Sequence, residues 1–276
     1  MDPLSQASIG AISAQGFSRK TGLKTALWVG ALGGFLPDAD ILIRSSADPL
    51  LSLEYHRHFT HALLFIPVGG LITAAIGRML TRGKRSIQEL WLPASLGWAT
   101  HGVLDSCTSY GTYLLWPFSN ARVAWHNVAI VDLLFTLPIT FLAIMAIRRK
   151  NRTLARLGFG WAIFYLCFGL WQRDRAAAVY TQAIESRGHT ATRMEVKPSI
   201  GNNILFRAFY IHENTFYADA VRVPWWGESQ VYKGSSIPAL DTAAYRATLG
   251  PTHQYDLDRF AYFSNGFLVE DPSRPG

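Results

Sequence analysis

Between Thr25 and Trp171 the chain is a succession of apolar runs, most of them near the roughly 20 residues that carry a helix across a bilayer. Short polar or basic stretches separate them. Few folds are open to a chain built this way. Such runs close their backbone hydrogen bonds inside helices and bury their side chains against lipid or one another. Composition agrees: 49% of the 276 residues are hydrophobic and 16% are charged, below the roughly 25% usual for soluble chains. The runs read as five spans: Thr25 to about Ile43, broken at Leu36-Pro37; Ala62 to Leu80; Leu90 to Leu104; Val128 to Ile147; and a shorter Leu157 to Trp171. The expected fold is therefore an α-helical membrane bundle of about five transmembrane helices over residues 1–171.

The basic residues carry the topology. Arg19, Lys20 and Lys24, then Arg78 to Arg85, then Arg148 to Arg156 fall on one side of a five-span chain, the cytoplasm by the positive-inside rule. The net charge of +7 is thereby accounted for, and a nucleic-acid partner is not expected. Contact with membrane lipids is. The opening MDPLSQASIGAISAQGFSRK lacks the charged region and apolar core of a cleaved signal peptide, and reads as a helix that stays with the protein, its N-terminus cytoplasmic. Two cysteines, Cys107 and Cys167, exclude a disulfide framework and a CxxC knuckle. After Trp171 the composition changes. Residues 172–276 hold a helical stretch, then short alternating segments punctuated by Pro224, Gly227, Gly234, Pro238 and Gly250-Pro251. A small β-rich α+β domain outside the cytoplasm is expected there. His189, His212 and His253 stand apart in it and read as structural.

Chemistry concentrates at the ends of the apolar runs. His101 and Asp105, four residues apart, stack on one face of a helix, and an imidazole with a carboxylate is half of a zinc site. Ionisable groups kept at the end of an apolar run point to function. Asp38 and Asp40 flank the break in LPDAD. His56, His58 and His61 crowd into HRHFTH, with Arg57 beside them. Asp132 lies one turn inside the fourth run, and Tyr110, Tyr113, Trp116, Phe118 and Trp125 line the loop before it. On the five-span count all these groups share the side opposite the basic clusters, one layer of a helical bundle.

LPDAD, HRxxTH and HGVLDSCTSYGTYLLWPFS, in that order and spacing over roughly residues 1–170, resemble a bacterial family of inner-membrane metal-dependent hydrolases of the LexA-regulated type. That family is regarded as a remote relation of zinc phospholipase C and P1 nuclease. The resemblance implies that Asp38, His56, His61, His101 and Asp105 are the metal-site positions. Relatives often carry a histidine near the start, where this chain has Gln6, and His58 falls where the family pattern varies.

The expectation is a membrane-embedded hydrolase that cleaves a phosphoester, of a lipid or another amphiphile, with water activated by one or two divalent ions, zinc foremost. Asp38, His61, His101 and Asp105 hold the metal. His56 is a further ligand or base, and Asp40 a ligand or a support for an imidazole. Asp38, His56, Asp105 and Arg57 serve the chemistry. Arg57, Arg122 and Trp116 meet substrate, while Thr60 and Asp132 orient ligands from behind. A different class is also open: a non-catalytic membrane protein whose metal is structural, acting as scaffold or regulator. A transporter is disfavoured because no inverted repeat is visible, and an HExxH zincin because the motif is absent.

Overall fold

The computed structural model describes residues 1–270, which form two compact units: Met1–Trp171 with Ile200–Asn203, and Gln172–Ser199 with the chain from Ile204 onward.

In the first unit, helix α1 (Pro3–Phe17) begins where the Asp2 carboxylate accepts from the Leu4 and Ser5 amides, with proline preset at the first helical position. Nearly every residue from Ser5 to Gly16 is buried. A helix buried all round needs partners for its polar side chains, and α1 finds them on neighbouring helices. The Ser8 and Thr140 hydroxyls meet at 2.8 Å, and Gln15 donates to the Ala143 carbonyl at 3.1 Å. Helix α2 (Leu23–Phe35) crosses α1 at backbone contact. A Cβ on Gly10 would lie 2.3 Å from the Gly30 oxygen, and one on Gly34 2.3 Å from the Gln6 oxygen, so the crossing requires glycine. A 3-10 turn, Leu36–Leu42, follows α2 and carries LPDAD. Short α3 (Leu51–Tyr55) leads into the histidine-rich loop. Then come α4 (Ile66–Leu80), α5 (Ile87–Ser106), α6 (Leu133–Arg148) and α7 (Arg152–Ser186), of which residues up to Trp171 belong to this unit.

The expectation of about five spans is overturned. Among the described residues only Leu63–Leu80 and Arg152–Ser186 are long and apolar enough to cross a membrane. These helices contain the second and fifth runs. The other three fail for separate reasons. Pro37 ends the first helix at Phe35, leaving 13 residues, about 20 Å at 1.5 Å per residue. The third run lies in α5, which holds Gln88, Glu89, His101 and Asp105 and buries ten of its 20 residues inside the protein. In the fourth, helix starts only at Leu133, because Asp132 caps it by accepting from the Leu134 and Phe135 amides; 16 residues remain. The fold is mixed: a helical unit with two candidate spans and a unit holding a small sheet. The sides assigned from five spans, with the N-terminus cytoplasmic and the site outside, lose their basis with that count.

The second unit contains the end of α7 and an antiparallel meander in the order β1 (Arg193–Pro198), β2 (Leu205–His212), β3 (Thr215–Arg222) and β4 (Gln230–Pro238). Glu213 and Asn214, both at positive φ, make the two-residue turn that pairs His212 with Thr215. Alternation buries Phe206, Ala208 and Tyr210 on one face of β2, where they pack with Ala176, Tyr180 and Ile184 of α7 and with Val221 and Val223. Helices α8 (Thr242–Ala247) and α9 (Pro251–Phe263) follow.

Candidate metal centre

The His101/Asp105 step lies in the last two turns of α5, fully buried, and Gly102 between them admits the backbone of the Phe59–His61 turn. A Cβ on Gly102 would lie 2.2 Å from the His61 oxygen. The α1–α2–α5 crossing supplies the other wall. Gly97 of α5 meets the Gly30 oxygen as closely as Gly10 does, and this brings the end of α2 and the LPDAD turn over His101.

Four side chains from three segments converge on one point: Asp38, His61, His101 and Asp105. His61 Nε2 and His101 Nε2 face each other at 2.9 Å. Asp38 Oδ1 lies 3.5 and 3.4 Å from them, and Asp105 Oδ2 3.2 and 3.6 Å. The tautomers make this arrangement informative. His101 Nδ1 is 2.6 Å from the Gly34 carbonyl, which can only accept, so Nδ1 carries a proton and Nε2 is the nitrogen turned to the pocket. His61 Nδ1 lies 3.2 Å from Asp40 Oδ2 and 2.9 Å from Thr60 Oγ1, and likewise turns Nε2 inward. Without a metal, the proton that His61 retains lies on this Nε2–Nε2 line; once that proton is gone, two lone pairs face each other and a cation between them satisfies both. About 2.05 Å from each donor, zinc makes tetrahedral edges of about 3.3 Å, in the middle of the observed 2.9–3.6 Å. Asp105 Oδ2, buried, receives no well-directed hydrogen bond. The donor set fits a divalent ion.

Electrostatics point the same way. Burial alone would push His61 toward neutrality, but Asp105, Asp38 and Asp40 outweigh it and raise its pKa to about 10. Burial would also raise Asp38 and Asp40. Hydrogen bonds with His101 and His61 for the one, and with His56 and His61 for the other, hold both well below the usual carboxylate range. Asp105 is kept low against its burial by the Met1 ammonium, His61 and Arg57. The pocket thus gathers carboxylates that stay anionic around an imidazole that keeps a proton. A metal ion would displace that proton.

Asp40 is the hub of the loop. Its Oδ2 accepts from the Arg57 amide and from Thr60 Oγ1, both at 2.9 Å, and its Oδ1 meets His56 Nδ1 at 2.9 Å. Asp38, Asp40 and His56 form a second group of metal-capable donors. The Arg57 guanidinium is buried, with Nε 3.0 Å from Asp105 Oδ2 and Nη1 donating to Thr108 Oγ1 at 2.7 Å, so its charge serves Asp105. The Arg57 and Arg122 guanidinium carbons lie 5.0 and 5.3 Å from the centre of the Tyr110 ring, and the His56 and Tyr110 rings have centroids 5.5 Å apart. Trp116 packs on the His58 and Phe59 rings at 5.6 and 6.3 Å. Asp132 stands apart as the α6 cap, its Oδ2 accepting from Tyr165 at 2.8 Å.

Sequence reasoning gave Gln6, Thr108, the Met1 amino group and the Gly34 carbonyl no part in the centre, reading Gly34 only as a small residue that, with Gly30, lets a neighbouring helix approach. Gln6 is buried and donates to Asp105 Oδ1 at 2.8 Å, an oxygen also contacted by the Met1 ammonium. The one signal for Gln6 was that it stands where relatives carry histidine; a backbone carbonyl such as that of Gly34 leaves no mark in a sequence.

A family model described as "YdjM inner membrane protein" matches residues 1–176. Over 98 residues the chain is 35% identical to the inner membrane protein YbcI of Escherichia coli (strain K12). That match covers 35% of this chain and 56% of YbcI, so the chain spans little more than half of that relative. No solved structure matches the chain. The kinship with zinc phospholipase C and P1 nuclease is carried by neither comparison.

Proposed function

The chain belongs to the YdjM family of inner membrane proteins, and on that premise we propose that it is a membrane-resident hydrolase that uses a divalent cation to cleave a phosphoester of a lipid or another amphiphile. The observation behind this reading is the pair of imidazole nitrogens facing each other at 2.9 Å, flanked by two carboxylates. Asp38, His61, His101 and Asp105 would hold the ion. When bound, such an ion polarises a phosphoryl oxygen and brings the pKa of water to about 7.

The protein's own part is to hold and expose. Gly34 and Asp40 fix which nitrogen each histidine presents. Asp38, its side chain 26% exposed where the other three are fully buried, is the donor that meets solvent and substrate. With the Arg57 charge committed to Asp105, Arg122, against the Tyr110 ring that also packs on His56, is the cation that would favour an anionic substrate there. Phe118, 84% exposed, and Trp125 suit an interface with lipid.

One observation favours a second reading. Four protein donor atoms lie within 4.8 Å of one another, the number that structural zinc sites use, and a closed centre would serve as a scaffold. The test is metal analysis of the purified full chain with a generic phosphodiesterase assay before and after chelation, repeated on His101→Ala. The hydrolase reading expects activity that disappears with the metal and with His101. Activity indifferent to both sinks it; bound metal without activity leaves the scaffold.

A further inference from the structure

We propose that Asp38, Asp40 and His56 hold a second divalent cation at the mouth of the pocket, sharing Asp38 with the buried donor set. This rests on the metal reading above and gives that site a division of labour. The three side chains offer donor atoms that all lie within 4.8 Å of one another, as the four of the first set do. The His56 Nδ1–Asp40 Oδ1 edge, 2.9 Å, equals the His61–His101 edge.

Asp40 is aimed for this purpose. One of its oxygens is saturated: Oδ2 accepts from the Arg57 amide, the Thr60 hydroxyl and His61 Nδ1. Among the described residues, its other oxygen meets His56 Nδ1. The loop reaches Oδ2 by placing Arg57 at φ 64°, a left-handed conformation that a branched or long side chain adopts only when its surroundings impose it. Backbone strain is thus spent on orienting a carboxylate that is 3% exposed and whose Oδ1 meets His56 Nδ1.

Coordination number separates the two sets. The buried set brings four protein donors, the number that would fill a tetrahedral zinc site, whereas Asp38, Asp40 and His56 are three, the number typical of catalytic zinc sites. Asp38 and His56 side chains are each 26% exposed, so the unfilled position faces solvent. The inner ion then organises the pocket and the outer one meets substrate, which removes the conflict between a closed centre and a hydrolase.

The experiment counts ions. Full-length protein in detergent is stripped with chelator, re-equilibrated with Zn2+ or Mn2+, desalted, and its metal measured by elemental analysis; the Mn2+ form is also examined by electron paramagnetic resonance. We expect two ions per chain in the wild type with an exchange-coupled Mn2+ spectrum, and one ion with an isolated-Mn2+ spectrum in His56→Ala. One ion in the saturated wild type overturns the second site while leaving the first, and makes His56 a hydrogen-bonded partner of Asp40. Two ions retained in His56→Ala overturn the assignment to His56. No bound ion in the wild type overturns both this inference and the metal reading. If His56→Ala does not fold, the wild-type count and spectrum decide.

Discussion

Both units bury an aspartate beside an arginine and hold a pair of facing histidines, yet the two settings differ in kind. In the sheet unit, Asp219 accepts three hydrogen bonds: from Gly234 N at 2.8 Å on Oδ1, and from Tyr180 at 3.0 Å and Arg187 at 2.6 Å on Oδ2. Its histidines lie face to face, His189 and His212 stacked with centroids 4.3 Å apart, and His189 Nδ1 is engaged by the Tyr210 hydroxyl. In the helical unit, Asp105 Oδ2 faces His61 Nε2, His101 Nε2 and, across them, Asp38. The first carboxylate is surrounded by donors and staples a fold. The second also has donors, Gln6 and the Met1 ammonium on Oδ1 and the Arg57 guanidinium beside Oδ2, but its Oδ2 turns into a pocket shared with the Asp38 carboxylate, where a cation would offset both charges.

That contrast breaks or sharpens under four measurements. The largest effect falls on metal content: His101→Ala should lose far more than the roughly 10–100-fold in affinity that an orienting partner is worth, whereas His189→Ala and His212→Ala should leave it unchanged. Elemental analysis of the three variants decides; metal lost on replacing His189 would dissolve the distinction. Asp219→Ala should cost about 3 kcal/mol of unfolding free energy, read by denaturant titration, because Arg187 and Tyr180 are left with an unpaired charge and hydroxyl. Its metal content should stay at the wild-type value.

The third measurement is a pH series. Burial opposes the proton on His61, but its carboxylates hold the folded pKa near 10 against 6.5 for a free imidazole. The stability it contributes is therefore complete below about pH 6.5 and is lost as pH rises through 10. The thermal midpoint of the metal-free chain should fall over that window, and that of the loaded chain should hold, since the ion replaces the proton. Parallel curves would show that no ion takes the proton's place. The smallest effect is expected from Thr60→Val, which removes a hydroxyl that bonds both Asp40 and His61. About tenfold weaker metal binding, measured by chelator competition, would mark the loop as an orienting device; unchanged affinity would make it only a connection.

Local geometry explains which features were legible beforehand. His101 and Asp105 are neighbours because any helix places i and i+4 together, so their pairing could be read from spacing. The break at Leu36-Pro37 was visible because proline restricts the residue before it. The membrane count was misread for the converse reason. A run of apolar residues looks the same whether lipid or protein covers it, and α5 is covered by protein over half its length. The cap at Asp132 removes residues from the fourth helix, whereas the sequence offered that aspartate as a ligand support. His189 and His212, far apart in sequence, stack because the sheet brings them together.

What the sequence alone determined here is the chemistry available: which segments are apolar, where imidazoles and carboxylates interrupt them, and which pairs a single turn of helix joins. Its motifs also placed the chain in an inner-membrane family. Only the tertiary structure decided which of those groups face one another, that Gln6 and a Gly34 carbonyl hold them, and which apolar helices remain for the bilayer. The reason is physical: spacing dictates contacts within a turn, but contacts between segments depend on how closely backbones approach, here at Gly10, Gly30, Gly97 and Gly102.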